Sequence, residues 1–540
     1  MEEIEKIENF LPEASVLRSS SATEDGDPPL AEKKKPEAQT EILENWEAKT
    51  KEEKNAVNVV SLLNEHGVAY FAGGYVRDLL INREFNKHFI AKDIDIATSL
   101  SLEEAKTLLE QSGFHTKIAG ADFKTLKVFQ EGGEAEAIDV ATFRQEGKYK
   151  DGRHPDLEDL VFIKDPEKDA ERRDFTINAL FFEPDTKKII DFVGGIEDLK
   201  NKILRPVGDT KRRFQEDYVR MLRYVRFRNK YDFTFSREVR DIIRDNADKI
   251  LLKPSEKLFQ ELDLIIKLDK NYMAVADMAR LGLLKYLMPE ADELRGVMHP
   301  KEAPYHKEGT VFRHTLEALR SFSRKEGAAK IRKVLDLEDS VKTEEVIKRF
   351  YEKYGTEVSW AVLFHDLGKR TKKSIRELSS GETRTTFVGH ELDSCDMAGK
   401  IADRLRFSNA KKEKILWLVK NHLVPRDLPI MKQSKRRAML QHPWIEELIF
   451  VSMADEIGNF PLSTKNYEVA FLLLEEERAR IPELKELVSG KELMAKFNLK
   501  PGPMIGKLKS AIREAQLEDK IKTPEEALRF AEENLKHLNA

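Results

Sequence analysis

A change of pattern near residue 195 constrains the fold of this chain more than any other feature. Before it, short apolar runs typical of strands, such as 68–72 and 93–97, alternate with helix-like segments. After it, strand-like runs largely disappear, and long amphipathic segments such as 218–228 and 258–266 follow one another. The pattern predicts an α+β protein with a small α/β head containing a mixed sheet, followed by all-helical domains.

Length and local composition predict the domain boundaries. A chain of 540 residues is too long for one hydrophobic core. Its first 45 residues have few core-type side chains and contain low-complexity stretches, so they are predicted to form a disordered acidic leader. The other predicted segments are the head at 46–195, the helical neck and body at 196–300, a third helical domain at 301–460 and a helical tail at 461–540.

The net charge of −4 conceals a strong segregation of charge along the chain. Residues 1–50 hold 13 acidic and six basic residues, a net −7, so the remaining 490 residues carry +3. Residues 200–228 hold ten basic and three acidic residues, a net +7. The whole-chain balance argues against a histone-like protein that binds through bulk positive charge, whereas the local basic strip is consistent with contact to RNA.

Three further observations bear on cellular location. Cys395 is the single cysteine, which excludes a disulfide framework and a cysteine-based zinc site and indicates a reducing compartment. No apolar run reaches the ~18–20 residues of a membrane-spanning helix. The acidic N-terminus resembles neither a signal peptide nor a transit peptide. We therefore expect a cytoplasmic protein with no membrane partner.

A Gly-Gly turn at Gly73-Gly74 stands between an apolar strand and a helix-like segment. Glycine permits a tight turn and lets a phosphate approach the backbone N–H groups at the start of a helix. Arg77, one turn further on, offers a charged donor to the same phosphate. On its own, such a pattern is more often an ordinary turn.

Three acidic residues on predicted strands follow this turn. Asp93 and Asp95 are two positions apart, so their carboxylates project from one face of a strand while Ile94 points to the core. Two such carboxylates repel each other unless a cation lies between them, which predicts a Mg²⁺ site for phosphoryl or nucleotidyl transfer. Asp139, on a later strand-like run, is the candidate third carboxylate.

These motifs, in this order, resemble those of the class II tRNA nucleotidyltransferase and bacterial poly(A) polymerase family. The matching segments are 73–78 and 93–98 in the head, 151–155 as the flexible loop, 172–180 as the second motif, and 191–195 before the neck. The loop between the first two segments is longer than is usual in the family, so it is predicted to be remodelled.

The resemblance implies roles for individual residues. Asp93 and Asp95 would bind Mg²⁺ and, with Asp139, form the catalytic centre in which an RNA 3′-OH attacks the α-phosphate of a nucleotide. The nucleotide-binding contacts would come from Gly74, Arg77 and the flexible-loop residue Arg153.

A basic helix over residues 216–227 is the predicted nucleotide template. Asp217, Arg220, Arg223 and Arg226 recur every three residues along one polar side. An acceptor on Asp217 and donors on Arg220 can match the exposed edges of C and A while mismatching U and G. The string resembles the family motif in which protein replaces a nucleic-acid template, and Arg223 and Arg226 would then contact the nucleotide or shape its pocket. The alternative is a solvated charged face held by salt bridges.

Histidines and acids in the third helical domain indicate a second metal site. His314, the His365-Asp366 pair and Asp455 match the ligand order of the HD phosphohydrolase superfamily, and some tRNA nucleotidyltransferases carry an HD domain. Mixed His and Asp ligands suit Ni²⁺, Mn²⁺ or Mg²⁺. An active phosphohydrolase, an inactive metal site and a helical scaffold for RNA are all compatible with the pattern.

The resemblance predicts an enzyme that adds or repairs the 3′-terminal CCA of tRNA from CTP and ATP. Its cofactor would be Mg²⁺, joined by a second divalent metal in the HD domain, and its tail would bind tRNA. Two alternatives keep the chemistry and change the product, namely a poly(A) polymerase and an enzyme that adds A alone. A third alternative is an HD phosphohydrolase that uses the head to bind RNA.

Overall fold

The computed structural model describes residues 38–87, 89, 94–119, 125–130, 137–145, 161–299, 309–321, 323, 348, 355–377, 383–459, 465–480 and 486–538. The chain divides into two compact units. The first comprises Met1–Ile265 with Asp277–Leu287, and the second comprises Ile266–Ala276 with Met288–Ala540. The five-part division expected from the sequence stays a prediction.

A mixed sheet forms the centre of the first unit. Its strands are β1 (Gln39–Ile42), β2 (Ala69–Ala72), β3 (Asp95–Thr98), β4 (Phe114–Ala119), β5 (Thr125–Gln130), β6 (Ile138–Thr142), β9 (Leu180–Glu183) and β10 (Lys188–Asp191). The order across the sheet is β1-β10-β9-β2-β3-β6-β5-β4. Strands β3 and β6 run parallel, and the other neighbours run antiparallel. Strands β7 (Arg144–Gln145) and β8 (Val161–Phe162) pair separately. The predicted mixed-sheet head is confirmed.

Burial along the strands follows their position in the sheet. On the central strand β9, Leu180, Phe181 and Phe182 are all fully buried, so both faces of the sheet are covered there. On β5, near one edge, Leu126 and Val128 are buried while their neighbours are partly exposed, because alternate residues face opposite sides. The core of the head is therefore packed around the middle strands.

Strand β1 corrects the predicted end of the leader. Its four residues pair with β10, from Gln39 opposite Asp191 to Ile42 opposite Lys188. The leader prediction over residues 1–45 is therefore wrong for this strand, whose polar and exposed side chains carry no core pattern. Residues 1–37 lie outside the described part of the chain.

The chain segment before residue 288 also contains helices. They are α1 (Lys51–Asn64), α2 (Gly74–Phe85), α3 (Leu102–Gln111), α4 (Pro166–Glu171), α5 (Gly195–Lys200), α6 (Thr210–Glu216), α7 (Val219–Tyr231), α8 (Arg237–Asp245), α9 (Ser255–Ile266), α10 (Asn271–Arg280) and α11 (Leu283–Leu287). Thr50 and Ser101 start α1 and α3 with capping boxes, in which each side chain and a glutamate three residues later satisfy free backbone N–H groups.

The described residues of the second unit form helices and one hairpin. Its further helices are α12 (Pro289–Asp292), α13 (Val311–Arg320), α14 (Thr356–Phe364), α15 (His390–Arg404), α16 (Asn409–Asn421), α17 (Val424–Asp427), α18 (Gln433–Leu440), α19 (Ile445–Gly458), α20 (Lys465–Arg480), α21 (Gly490–Phe497), α22 (Pro503–Leu517) and α23 (Pro524–Leu538). Strands β11 (Ser374–Glu377) and β12 (Thr383–Thr386) form the hairpin, which corrects the all-helical prediction for this region.

Two helices of the second unit are buried along most of their length. These are α14, whose buried side chains include Trp360 and Phe364, and α19. A helix that is apolar on all sides belongs in the interior of its unit. Among the described residues, no helix combines the length and the apolar character needed to cross a membrane.

Candidate functional site

The sheet brings two of the three predicted catalytic carboxylates side by side. Asp95 on β3 is the register partner of Asp139 on β6. Partners on parallel strands project from the same face, so the two carboxylates are neighbours. The following residues, Ile96 and Val140, point to the opposite face and are almost fully buried. Asp93 lies outside the described residues, so its place beside Asp95 stays a prediction.

A lysine balances part of the negative charge at this edge. Lys127 on β5 is the register partner of Asp139 on its other side, and its Nζ lies 2.7 Å from Asp139 Oδ1. The side chains are 40% and 37% exposed, so the carboxylate stays accessible from solvent. Carboxylate oxygens are the ligands that Mg²⁺ prefers, and the Asp95–Asp139 pair therefore fits a magnesium site.

The Gly-Gly turn starts α2 in a backbone conformation that favours glycine. Gly73 has a φ of 68°, and its N–H donates to the carbonyl of Leu180 on β9 at 3.1 Å. A Cβ on Gly73 would lie 3.0 Å from Nη1 of Arg173, which itself donates to the carbonyl of Asn178. The turn is thus fitted against the 172–180 motif, and Gly74 becomes the first residue of α2.

Arg77 is directed into the interior of the first unit. Its side chain donates from Nε to Asp78 Oδ1 at 2.8 Å and from Nη1 to Asn178 Oδ1 at 2.6 Å. The guanidinium also lies over the rings of Phe227 and Tyr231 on α7. Only 6% of the residue is exposed. In this position Arg77 joins α2 to α7, whereas its predicted contact with a triphosphate would require these bonds to be exchanged.

The Arg77→Lys variant is expected to unfold more easily than the wild type. Lysine keeps the charge but cannot make both hydrogen bonds at once, so the free energy of unfolding should fall by roughly 2–4 kcal/mol. Chemical denaturation followed by circular dichroism measures this change. Arg212→Lys is the matched control, because the Arg212 side chain is 81% exposed. Unchanged stability with a raised KM for the nucleotide would contradict the structural role.

A network of partly buried charges links the 172–180 motif to α7 and α9. Asp174 accepts from Arg223 Nη2 at 2.6 Å and from Asn178 Nδ2 at 2.9 Å. Arg223 also approaches Glu261 on α9, and Glu261 accepts from Arg226 Nε at 2.7 Å. The guanidiniums of Arg223 and Arg226, predicted to contact the nucleotide or shape its pocket, are therefore engaged by protein carboxylates.

Asp174 gives the first unit a pH-dependent stability. Burial alone would raise the pKa of its carboxyl, but Arg223, the bond from Asn178 and Arg220 lower that pKa to about 2. The unfolded value is about 3.9, so this contribution is complete above about pH 4 and is lost as the pH falls towards 2. We expect the stability difference between wild type and Asp174→Asn to shrink over this window in urea titrations. A difference that stays constant from pH 6 to pH 2 would contradict the assignment.

Asp217 lies at a break between two helices, which corrects the predicted continuous helix over 216–227. Helix α6 ends at Glu216, Asp217 has extended backbone (φ −150°, ψ 104°), and α7 begins at Val219. Oδ1 of Asp217 accepts from Lys253 Nζ at 2.9 Å and from the N–H of Val219 at 3.1 Å. A carboxylate that accepts from the first N–H of the next helix favours this break.

Arg220 closes the same junction from α7. It is 7% exposed, and its Nη1 lies 2.9 Å from Glu216 Oε2 and donates to the carbonyl of Arg213 at 2.8 Å. Its guanidinium thus ties α7 to the end of α6. Arg153, the remaining predicted nucleotide contact, lies outside the described residues.

Three residues of this site were not singled out from the sequence, namely Asp174, Asn178 and Glu261. Asp174 and Asn178 belong to the 172–180 motif. The signal that the sequence offered there was an acidic residue directly after two arginines, with an amide four residues further on. Glu261 lies in a helical segment that shows only an amphipathic pattern, and its contact to Arg226 depends on how α9 packs on α7.

A cluster of histidines and aspartates is buried in the second unit. It contains His314 on α13, His365 and Asp366 directly after α14, and Asp455 on α19. One ligand atom from each lies within 4.8 Å of those of the others. His314 Nε2 lies 2.9 Å from Asp455 Oδ1, and His365 Nε2 lies 3.2 Å from Asp366 Oδ2. The structure brings the four predicted HD metal candidates together.

The carboxylates of this cluster stay ionised in spite of burial. Burial alone would raise the pKa of Asp366, but His365 and Lys369 hold it well below the usual range. Burial alone would also raise the pKa of Asp455, but Arg426 and the hydrogen bond from His314 hold that pKa well below its usual range. Buried anions require positive charge within reach, and a divalent cation with mixed His and Asp ligands fits this donor set.

The Gly-Gly turn, the Asp95–Asp139 pair and all strands of the sheet except β1 fall within one sequence match. Residues 69–205 match the family model of the poly A polymerase head domain. Residues 397–531 match the model “tRNA nucleotidyltransferase domain 2 putative”. Two segments of the chain are therefore similar to the head domain of poly A polymerases and to a domain of tRNA nucleotidyltransferases. Residues 232–294, which follow α7 and include Glu261, match the model “Probable RNA and SrmB- binding site of polymerase A”. The family resemblance predicted from the head motifs is confirmed.

Curated proteins similar to this chain are named CCA-adding enzymes. The enzyme from Lactobacillus helveticus (strain DPC 4571) is 38% identical over 207 residues, which cover 38% of this chain and 48% of that enzyme. The match therefore spans about half the length of that relative. The enzyme from Lactococcus lactis subsp. lactis (strain IL1403) is 28% identical over 477 residues, or 88% of this chain and 95% of that enzyme.

A solved structure shares the fold. The Bacillus stearothermophilus CCA-adding enzyme in complex with CTP matches with a TM-score of 0.58 and 22% sequence identity, covering 91% of this chain and 100% of that chain. This likeness supports the predicted fold class, a nucleotidyltransferase head followed by helical domains.

Proposed function

We propose that this chain is a nucleotidyltransferase that adds or repairs the 3′-terminal CCA of tRNA from CTP and ATP. The observation that carries the proposal is the register pairing of Asp95 with Asp139 beside the Gly73-Gly74 turn, within a poly A polymerase head. The names of the relatives from Lactobacillus helveticus and Lactococcus lactis support CCA as the product. Polyadenylation and the addition of A alone are the alternatives, since both use the same chemistry.

In the proposed reaction, the RNA 3′-oxygen attacks the α-phosphate of the bound nucleotide. A phosphodiester bond forms as the bond to pyrophosphate breaks, and the hydroxyl proton leaves to solvent. Asp93, Asp95 and Asp139 would hold Mg²⁺, which when bound neutralises the triphosphate and lowers the pKa of the attacking hydroxyl. Lys127 orients the Asp139 carboxylate through its 2.7 Å ion pair.

The triphosphate and the base would be held by separate parts of the first unit. The N–H of Gly74, at the start of α2, is the proposed phosphate contact, and Arg153 would reach the nucleotide from its loop. Asp217 and Arg220, at the junction of α6 and α7, are the proposed readers of the base edge. For Arg220 this requires its bond to Glu216 to be exchanged for a bond to the base.

Arg223 and Arg226 would act from behind the nucleotide pocket. Their guanidiniums bind Asp174 and Glu261, so their proposed role is to fix α7 against the 172–180 motif and α9. A template made of protein needs such rigidity, because discrimination between bases depends on donors and acceptors held in place.

For the second unit we propose a divalent cation, Ni²⁺, Mn²⁺ or Mg²⁺, on His314, His365, Asp366 and Asp455. Their burial and mutual distances support this assignment. Hydrolysis of a 2′,3′-cyclic phosphate substrate to a phosphomonoester, lost in His365→Ala, would add phosphohydrolase activity to the proposal. The tail is proposed to bind tRNA, and the cytoplasm is the proposed location because tRNA and both nucleotides are substrates there.

A panel of three RNA substrates tests the proposed product. The protein is incubated with tRNA lacking CCA, with tRNA ending in CC, and with an unstructured oligoribonucleotide, each with labelled CTP or ATP. Incorporation of both nucleotides into the first substrate supports CCA addition. Incorporation of A alone, confined to the CC-ended tRNA, would contradict CCA addition and show that the protein adds A alone. Long A tails on the oligoribonucleotide would contradict CCA addition and show polyadenylation.

A further inference from the structure

A buried lysine contacts the carboxylate that is proposed to read the base edge. Lys253 Nζ lies 2.9 Å from Asp217 Oδ1, and the lysine side chain is only 2% exposed, whereas that of Asp217 is 38% exposed. The ammonium therefore reaches the carboxylate from the interior of the first unit, and the carboxylate stays open to solvent on its other side. A lysine is almost never buried without a partner, because removing an ammonium from water is costly.

The backbone at Lys253 is held in an extended conformation. Lys253 follows the short 3₁₀ helix Ala247–Leu252 and has a φ of −95° and a ψ of 150°. The next residue is Pro254, whose ring disfavours helical backbone at the residue before it. Pro254 leads directly into α9, whose Glu261 accepts from Arg226 Nε on α7 at 2.7 Å. The segment that carries Lys253 is therefore fixed to α7.

The contacts to Asp217 distinguish its two carboxylate oxygens. Oδ1 lies 2.9 Å from Lys253 Nζ and accepts from the N–H of Val219 at 3.1 Å. Among the residues that the structure describes, these are the hydrogen-bonding contacts of this carboxylate, and both are made to Oδ1. Two groups on one oxygen fix the rotation of the carboxylate about its Cβ–Cγ bond. Oδ2 is then the oxygen that can accept a hydrogen bond from a nucleotide.

A fixed acceptor at this position separates the four bases. C and A present amino groups at N4 and N6, whereas U and G present carbonyl oxygens in the equivalent place. An ionised carboxylate only accepts hydrogen bonds, so its oxygen bonds to the amino groups and repels the carbonyl oxygens. A carboxylate that turns freely discriminates less, because specificity depends on donors and acceptors that are held in place.

We propose that Lys253 is a positioning residue for base selection. It holds Asp217 so that Oδ2 accepts the amino group of C or A, and it acts without touching the nucleotide. The inference rests on the proposed addition of nucleotides to RNA and adds a determinant of specificity to the Asp217–Arg220 pair. Two ratios of kcat/KM report this role. They are CTP over UTP on tRNA lacking CCA, and ATP over GTP on tRNA ending in CC.

The Lys253→Met variant of the full chain tests the role. Methionine fills similar space and is readily buried, and the remaining Asp217 carboxylate is partly exposed, so the fold should persist. We expect both ratios to fall at least about tenfold, because the acceptor is no longer held in place. A purely structural role would lower the rates with all four nucleotides in parallel. Wild-type ratios in the folded variant would overturn the inference.

Two comparisons show whether the effect is specific to this contact. Lys249→Met is the matched control, since Lys249 is 47% exposed and pairs with Asp248 on the surface, and it should keep both ratios. In an Asp217→Ala background, Lys253→Met should leave the already low ratios unchanged, because Lys253 acts through Asp217. A further fall in that background would mean that Lys253 acts independently, and would overturn the inference.

A second neutral variant decides the question where Lys253→Met does not fold. The amide of Lys253→Gln ends one bond short of the ammonium position, so this variant should also lower both ratios. Wild-type ratios in folded Lys253→Gln would overturn the inference and leave the proposed function standing. A wild-type protein that incorporates neither CMP nor AMP would overturn the proposed function and the inference together.

Discussion

The Asp95→Asn variant is expected to incorporate nucleotides at least about a thousandfold more slowly than the wild type. Asparagine has nearly the same size but lacks the charge that a cation and a triphosphate need beside Asp139. Because the Asp95 side chain is exposed at the start of β3, its change should leave the fold intact. Initial rates of CMP and AMP incorporation into tRNA lacking CCA measure the effect.

Asp185→Asn is the matched control for this change. Asp185 lies in the exposed turn between β9 and β10 of the same sheet, away from the carboxylate pair, and its variant should retain wild-type rates. Thermal unfolding of both variants shows whether a loss of rate has a structural cause. Full activity of folded Asp95→Asn would refute the proposed magnesium site.

The Arg223→Met variant is expected to lose about 3–5 kcal/mol of unfolding free energy. Methionine fills much of the space but leaves Asp174 ionised and nearly buried without the guanidinium that lies 2.6 Å away. Glu261 loses one of its two arginines at the same time. Urea denaturation followed by circular dichroism measures the loss, and nucleotide incorporation should fall in parallel as α7 loosens.

A double-mutant cycle isolates this pair. Asp174→Asn together with Arg223→Met should cost less than the sum of the single changes, because the second change removes the charge that the first leaves unpaired. Asp248→Asn is the control, since its pair with Lys249 on the surface is exposed to solvent and should contribute nothing measurable. Additive losses in the cycle would contradict a direct Asp174–Arg223 interaction.

Strand alternation predicts a shared face for Asp93 and Asp95, and Asp139 was identified only as a candidate third carboxylate. The position of Asp139 beside Asp95 depends on the parallel pairing of β3 with β6, which the sequence pattern did not predict. The four HD candidates were likewise identified by residue type and order. Their approach to within 4.8 Å depends on the packing of helices far apart in the chain.

The sequence did not predict which partners the long charged side chains contact. The spacing of the motif predicted that Arg77 lies one helical turn after the Gly-Gly turn. Its guanidinium donates hydrogen bonds to Asp78 and Asn178, because the 172–180 motif packs against α2. Asp217 looked continuous with the arginines of α7, yet its carboxylate accepts from Val219 N–H and Lys253 and marks a helix break. The edge strand β1 had no apolar pattern because it is exposed.

The most direct measurement of the central proposal is the 3′-terminal sequence that the wild-type protein produces on tRNA lacking CCA, in the presence of both CTP and ATP. The proposed function predicts that the product ends in C, C and A in that order and that synthesis stops there, with loss of the reaction in Asp95→Asn. A product extended by A alone, or by many A residues, would contradict it.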